Sequence, residues 1–168
     1  MKLGVICDGI SRDLSRALKV MDEFGLDYAE LQFVWDKEVG DHDASEISQI
    51  KELLDTHNKP VSCLSRHIFA GLTTASKAGD KDHTRHMDYL KRVIEMAHQL
   101  NCPLVRIMTS KKEQILWGTN GAEHWNVAKG AWDTLPPLIA PAVDLARTEG
   151  VTLVVETGNG TMVNSNYT

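Results

Sequence analysis

Val151-Thr152-Leu153-Val154-Val155-Glu156-Thr157-Gly158 is an apolar, β-branched run that stops at a carboxylate and a glycine. Alternation along a strand puts Val151, Leu153 and Val155 on one face and Thr152, Val154 and Glu156 on the other. Glu156 then stands at the carboxyl end, where parallel α/β sheets gather their ligands. A solvated charge that only marks where the strand leaves the core is the competing reading of the same residue.

Upstream, apolar runs of strand length alternate with helical patterns. Leu3 to Cys7 reads as a strand, followed by a turn at Asp8-Gly9 and a helix capped by Ser11 and stopped at Gly25, with Leu14, Ala17, Leu18, Met21 and Phe24 in its stripe. Tyr28 to Val34 reads as the second strand, with Ala29, Leu31 and Phe33 on one face and Tyr28, Glu30 and Gln32 on the other. A polar strand face turned away from the helices suits a barrel interior better than an open sheet covered on both sides. After the charged loop Trp35 to Asp43, Ser45 caps a helix bearing Ile47, Ile50, Leu53 and Leu54. Pro60 to Leu64 is the third strand, with Ser65-Arg66-His67 just past it.

The pattern continues with a helix over His83 to Asn101 and a fourth strand, Leu104 to Met108, in which Val105 and Ile107 face the helices and Arg106 faces the other way. His83, His86 and His98 are assigned to the helix exterior. A long loop, Thr109 to about Asn126, holds Trp117, Glu123-His124 and Trp125; connections of this length in a small domain are often functional. The next helix is interrupted by Pro136, Pro137 and Pro141, which predicts a break or kink near Leu135. Strand-helix alternation of this kind is the pattern of parallel βα units, and hairpins are excluded as the main architecture. After Gly158 the polar run ends in a helix-capping signal at Ser165, so residues 1–168 are expected to be a single domain that forms the first, N-terminal part of a larger barrel, truncated there. A complete five-stranded open α/β domain is the alternative.

The composition narrows the function classes. The 168 residues are 42% hydrophobic and carry 18 Lys plus Arg against 23 Asp plus Glu, a formal charge of -5, which gives no general attraction for nucleic acid or anionic membranes. Cys7, Cys63 and Cys102 are odd in number, far apart and form no CxxC pair, against a disulfide framework or structural zinc. No apolar stretch approaches a membrane span. A cytoplasmic setting is the expectation.

Four of these runs also carry a resemblance. Lys2-Leu-Gly-Val-Ile, Tyr28-Ala-Glu-Leu-Gln, Leu104-Val-Arg-Ile-Met and Leu153-Val-Val-Glu-Thr resemble, in order and spacing, the xylose-isomerase-like TIM barrel superfamily, which includes sugar phosphate isomerases and epimerases and endonuclease IV. The resemblance implies an α/β fold of parallel (βα) units, a partial barrel comprising the first five strands of eight. Ketose epimerases of that group hold a divalent metal, of the Mn, Mg, Co or Zn kind, with two glutamates, an aspartate and a histidine. The resemblance maps Glu156 onto the first ligand and implies that the others lie beyond Thr168, so that the 168 residues alone would be inactive.

What the resemblance implies for activity is a metal-dependent sugar or sugar-acid isomerase or epimerase that removes and returns the proton beside a carbonyl. Glu156 is its candidate metal ligand and catalytic base. Glu30, His67, Arg106 and Trp117 are candidates for binding a small-molecule sugar or sugar phosphate. For Glu30 an interior salt bridge to Arg106 is the preferred alternative, since a buried carboxylate usually needs a partner; for Trp35, Trp117 and Trp125 the alternative to rimming the mouth is packing within their own loops. An abasic-site nuclease like endonuclease IV and a non-catalytic half-barrel that binds a ligand or assembles with a second copy are the competing functions, and homo-oligomerisation is left open. For the nuclease, the fourth strand ends in Met108-Thr109 rather than the expected histidine.

Overall fold

Five strands pair in parallel in the order in which the chain makes them: β1 (Gly4–Ile6), β2 (Tyr28–Leu31), β5 (Val61–Ser65), β6 (Leu104–Ile107) and β7 (Thr152–Val155). A separate antiparallel pair, β3 (Phe33–Val34) and β4 (Lys37–Glu38), follows the second of them. The helices are α1 (Leu14–Glu23), α2 (Ala44–Thr56), α3 (Lys81–Gln99) and α4 (Ala122–Glu149). The structure, a computed structural model, describes residues 1–111, 122–158 and 161–163, with backbone alone for 122–132. Among the described residues one α-helix lies in each crossover, as parallel pairing demands. Because strand order never reverses, the sheet has no switch point and is wound in one sense only, which is how barrel strands progress rather than those of a doubly wound sheet.

That winding gives the sheet two unlike faces. Ala29, Leu31, Leu64, Val105 and Ile107 are buried on the outer face, and Leu18, Met21, Ile50, Leu90, Ile94, Ala142 and Ala146 of the helices join them in one core. The register aligns this face across the sheet, Leu31 with Leu64, Leu64 with Val105, and Val105 with Leu153. The other face carries Glu30, Cys63, Arg106 and Val154 into an open concavity. At the edge, Val155 and Val143 are exposed beside a largely apolar groove of about 440 Å³ between β7 and α4.

Several local expectations change. The second strand stops at Leu31, and Phe33-Val34 turns back against Lys37-Glu38 through Trp35, whose φ is +54°. Asp13 rather than Ser11 caps α1, and Asp43 rather than Ser45 caps α2 in a reciprocal box with Glu46. Asp80 caps α3, which begins at Lys81, two residues earlier than the apolar pattern suggests. Phe24 is exposed rather than part of the α1 stripe. α4 is continuous through Pro136, Pro137 and Pro141, so the expected break is absent, and Glu123-His124 fall in this helix rather than in a loop.

The β3–β4 hairpin docks on α3 at Gly40. Its φ is +87°, and a Cβ there would sit 2.8 Å from Val93 Cγ2 and 3.0 Å from the Val93 backbone nitrogen. Both backbone strain and overlap with main chain oppose any side chain. Gly40→Ala is expected to cost about 2 kcal/mol in urea unfolding, whereas Gly71→Ala, with a similar φ but open space, should cost only the strain. Equal losses at the two positions would show that the docking contact contributes nothing.

His83 and His86 point inward, a correction to their expected exterior placement. They stop the polar loop before α3 from floating: His86 Nδ1 accepts from the Phe69 backbone N–H at 3.0 Å, His83 Nδ1 accepts from Gly79 N–H, and His83 Nε2 donates to the Leu138 carbonyl. Phe69 lies stacked on His83, with ring centroids 5.7 Å apart. The helical spacing shows an apolar stripe but not that a loop will fold over its margin. Burial, with the Arg85 charge adding to it, pushes the His86 pKa below its ordinary 6.5. The unfolded chain therefore takes up a proton that the folded chain refuses, so stability rises with pH across this window. The His86 contribution is full above about pH 6.5 and is lost as pH falls towards the lowered folded value. Urea midpoints should fall on acidification through this range, and His86→Gln should flatten the slope; an unchanged slope would remove His86 as its source.

Candidate functional site

The inner face of the sheet is built in layers by the register. Ile6 aligns with Glu30 and Glu30 with Cys63; one step nearer the carboxyl ends, Ser65 aligns with Arg106 and Arg106 with Val154. Glu156 follows directly after β7, its backbone N–H donating to the Ile107 carbonyl at 3.2 Å. Glu30, Gln32, Cys63, Arg106, Val154 and Glu156 line one concavity of about 550 Å³. Period-two alternation thus brings Glu30, Arg106 and Glu156 to a common wall.

Arg106 forms its ion pair with Glu156 through Nη1, not with Glu30 as expected. Glu30 instead accepts a 2.5 Å hydrogen bond from Ser65 Oγ, a neighbour that strand-by-strand reading could not rank. The Arg106 side chain is only 10% exposed, against 43% for Glu156. Its Nε and Nη2 are buried and, among the described residues, have no hydrogen-bond partner. Burial lowers the Arg106 pKa while the Glu30 charge opposes that shift; a guanidinium remains protonated at neutral pH all the same. Cys63, on the same wall, has its thiol pKa pushed up to about 11 by burial, which keeps it a thiol and a poor nucleophile.

His67 lies just past β5, half exposed, with Nδ1 2.8 Å from Glu38 Oε1. The Gln32 amide nitrogen is 3.2 and 3.1 Å from the two ring nitrogens, linking His67 to the concavity that Gln32 lines. Behind it, Arg66 is buried, donating to the Val39 carbonyl at 2.6 Å and to Asp41 at 2.8 Å. Burial works against the Asp41 carboxylate, yet hydrogen bonds from Arg66 and Arg92 more than offset it and hold its pKa below the usual value. Trp35 packs against the core and edge-on to His42, so it does not stand free at the rim. Trp117 lies outside the described residues, as do the side chains of Trp125 and Glu123-His124. Glu38 and Ser65 were not singled out from sequence; the signal available for Glu38 was its place in a charged loop next to an aromatic strand end.

Glu156 offers one oxygen ligand of the kind a divalent cation takes. Among the described residues no three His, Cys, Asp or Glu side chains come together as a ligand set, and Glu156 faces a guanidinium. These residues alone therefore do not make a metal site.

A singly wound parallel sheet with helices outside and a polar inner wall converging at the carboxyl ends defines a TIM-barrel type of chain. It belongs to the xylose isomerase-like TIM barrel family, whose model matches residues 18–168. Solved structures of the same fold include a D-tagatose 3-epimerase-like protein, at 18% identity and a TM-score of 0.65 over 96% of this chain. The IolI protein with a binding zinc atom matches at 20% identity and 0.63 over 98% of the chain, covering 55% of its own length. D-allulose 3-epimerase from Methylomonas sp., in complex with D-allulose, matches at 15% identity and 0.61 over 98%, covering 54% of its length. The chain spans about half the length of these structures; for the epimerase-like protein the share is 55%. No curated protein matches the chain in sequence. Among the described residues no helix is long and apolar enough to cross a membrane.

Proposed function

We propose that this chain supplies the first four βα units and the fifth strand of a sugar isomerase or epimerase barrel acting by proton transfer beside a carbonyl. The observation that carries the reading is the pairing of Glu156 with Arg106 at the carboxyl end of a polar inner wall. Glu156 is the base that takes and returns the proton. Arg106, whose own Nε and Nη2 have no partner among the described residues, directs positive charge at substrate oxygens as negative charge develops there. Glu30 and His67 bind hydroxyl groups, and Trp117 offers a flat apolar face to the sugar. A divalent cation of the Mn, Mg, Co or Zn kind, held by Glu156 and by ligands from beyond Thr168, would supply further positive charge against the same oxygens. The partner is a small sugar or sugar phosphate, and the -5 net charge disfavours DNA.

The test is deuterium incorporation. D-fructose, D-allulose, D-tagatose and the 6-phosphates of the first two are incubated with the full barrel, carrying the strands proposed beyond Thr168, and a divalent cation in deuterated water, and the carbon beside the carbonyl is read by NMR. Exchange in at least one sugar is expected. No exchange in any, together with nicking of an abasic DNA duplex, would replace this reading with the nuclease one.

A further inference from the structure

Glu38 touches His67 twice. Its Oε1 accepts the His67 backbone N–H at 3.0 Å and lies 2.8 Å from the ring Nδ1. Its Oε2 lies 3.4 Å from the buried Arg66 Nε, so the carboxylate is held from behind by a charge that cannot leave. A carboxylate so placed is an acceptor only. In the neutral ring, Nδ1 must then carry the proton, and Nε2 keeps its lone pair. The Gln32 amide nitrogen is almost equally far from both ring nitrogens. With Nδ1 protonated only Nε2 can accept from that amide, so before substrate binds the Gln32 N–H donates to Nε2 at 3.1 Å and a substrate hydroxyl takes its place there. The ring is 48% exposed, while Glu38 is only 17% exposed. Phe33 lies against the ring with centroids 6.3 Å apart and limits its rotation.

We propose that Glu38 is a positioning residue: it fixes His67 as the Nδ1–H tautomer, so that Nε2 accepts a hydrogen bond from a substrate hydroxyl at the mouth of the concavity. Gln32, reaching from that concavity to the ring, supplies an amide for the adjoining hydroxyl oxygen. The pair thereby selects a substrate with neighbouring hydroxyl groups, a polyol end rather than an apolar or singly charged group. No proton is transferred in this step. The inference rests on the sugar reading above, and the hairpin that carries Glu38 is what makes it available, because β4 places that side chain beside the end of β5.

Two-bond proton-nitrogen NMR spectra of the histidine-labelled protein at mildly alkaline pH give the tautomer directly, without any activity. Wild-type His67 is expected as Nδ1–H, and Glu38→Ala is expected to shift it towards Nε2–H while the melting curve remains cooperative. On addition of the exchanging sugar from the panel above, His67 Nε2 should shift in the wild type, and the dissociation constant should rise roughly fivefold in Glu38→Ala, the loss of about one hydrogen bond. Glu38→Asp, which retains the acceptor, should recover part of both. A wild-type Nε2–H tautomer overturns the proposal. So does a sugar that binds and exchanges deuterium without moving the Nε2 resonance, a result that leaves the proposed function standing. If no sugar in the panel binds at all, the proposed function fails and this inference with it.

Discussion

Replacing Glu156 by glutamine is expected to lower solvent deuterium incorporation into the sugar by about a thousandfold, the scale on which a positioned general base acts. The amide keeps the shape and can still accept a hydrogen bond, but it has no negative charge to pair with Arg106 and no basic oxygen for a proton. Glu156 is itself 43% exposed, but Arg106 is 10% exposed and loses its ion-pair partner, so the urea midpoint should fall by about 1 kcal/mol with cooperative unfolding retained, too little to account for the rate loss in the folded protein. Arg106→Met separates the two roles. It removes the positive charge and the two unpartnered buried donors, and about a hundredfold loss is expected if charge stabilisation matters as argued. Exchange that persists in Glu156→Gln would refute the assignment of the base.

Arg66→Met is expected to be the most destabilising of the substitutions considered, by about 3 kcal/mol, with the melting temperature falling by about 10 °C. Arg66 is 5% exposed and satisfies the Val39 carbonyl, Asp41 and, through a longer contact, Glu38, while its guanidinium lies 4.3 Å from the Tyr89 ring centroid. Removing the charge leaves Glu38, 17% exposed, beside a carbonyl and a second carboxylate with Arg92 as the remaining nearby cation. Burying an uncompensated carboxylate costs more than the pair itself contributes. The Arg66→Met, Glu38→Leu double variant should therefore recover part of the loss. A single-variant loss below about 1 kcal/mol would show that water enters and the cluster is not held as described.

Much of the molecule can be read in the chain, and the reasons are local. The outer face of each long strand follows from alternation because burial is all or nothing there: Val105, Ile107, Ala29 and Leu31 are fully inside. The inward set follows from the same rule, which by itself puts Glu30, Arg106 and Glu156 on one wall. Helix stripes were equally legible, since Leu14, Ala17, Leu18 and Met21 must share one side of a turn of 3.6 residues.

What the chain alone left open is partner choice. Residues on one wall can be enumerated from alternation, but which carboxylate takes Arg106 depends on strand stagger and reach, and there Glu156 prevailed over Glu30, which turned to Ser65. Glu38 and His67 are 29 positions apart in the chain, and only a hairpin closing at Trp35 brings them to 2.8 Å. His83 and His86 moved inside because a loop with no periodicity covers them. Periodic elements were set by the amino-acid sequence because their hydrogen bonds and apolar faces repeat within a few residues; the contacts that give the mouth its chemistry were decided by tertiary structure, because each joins segments whose separation no local repeat encodes.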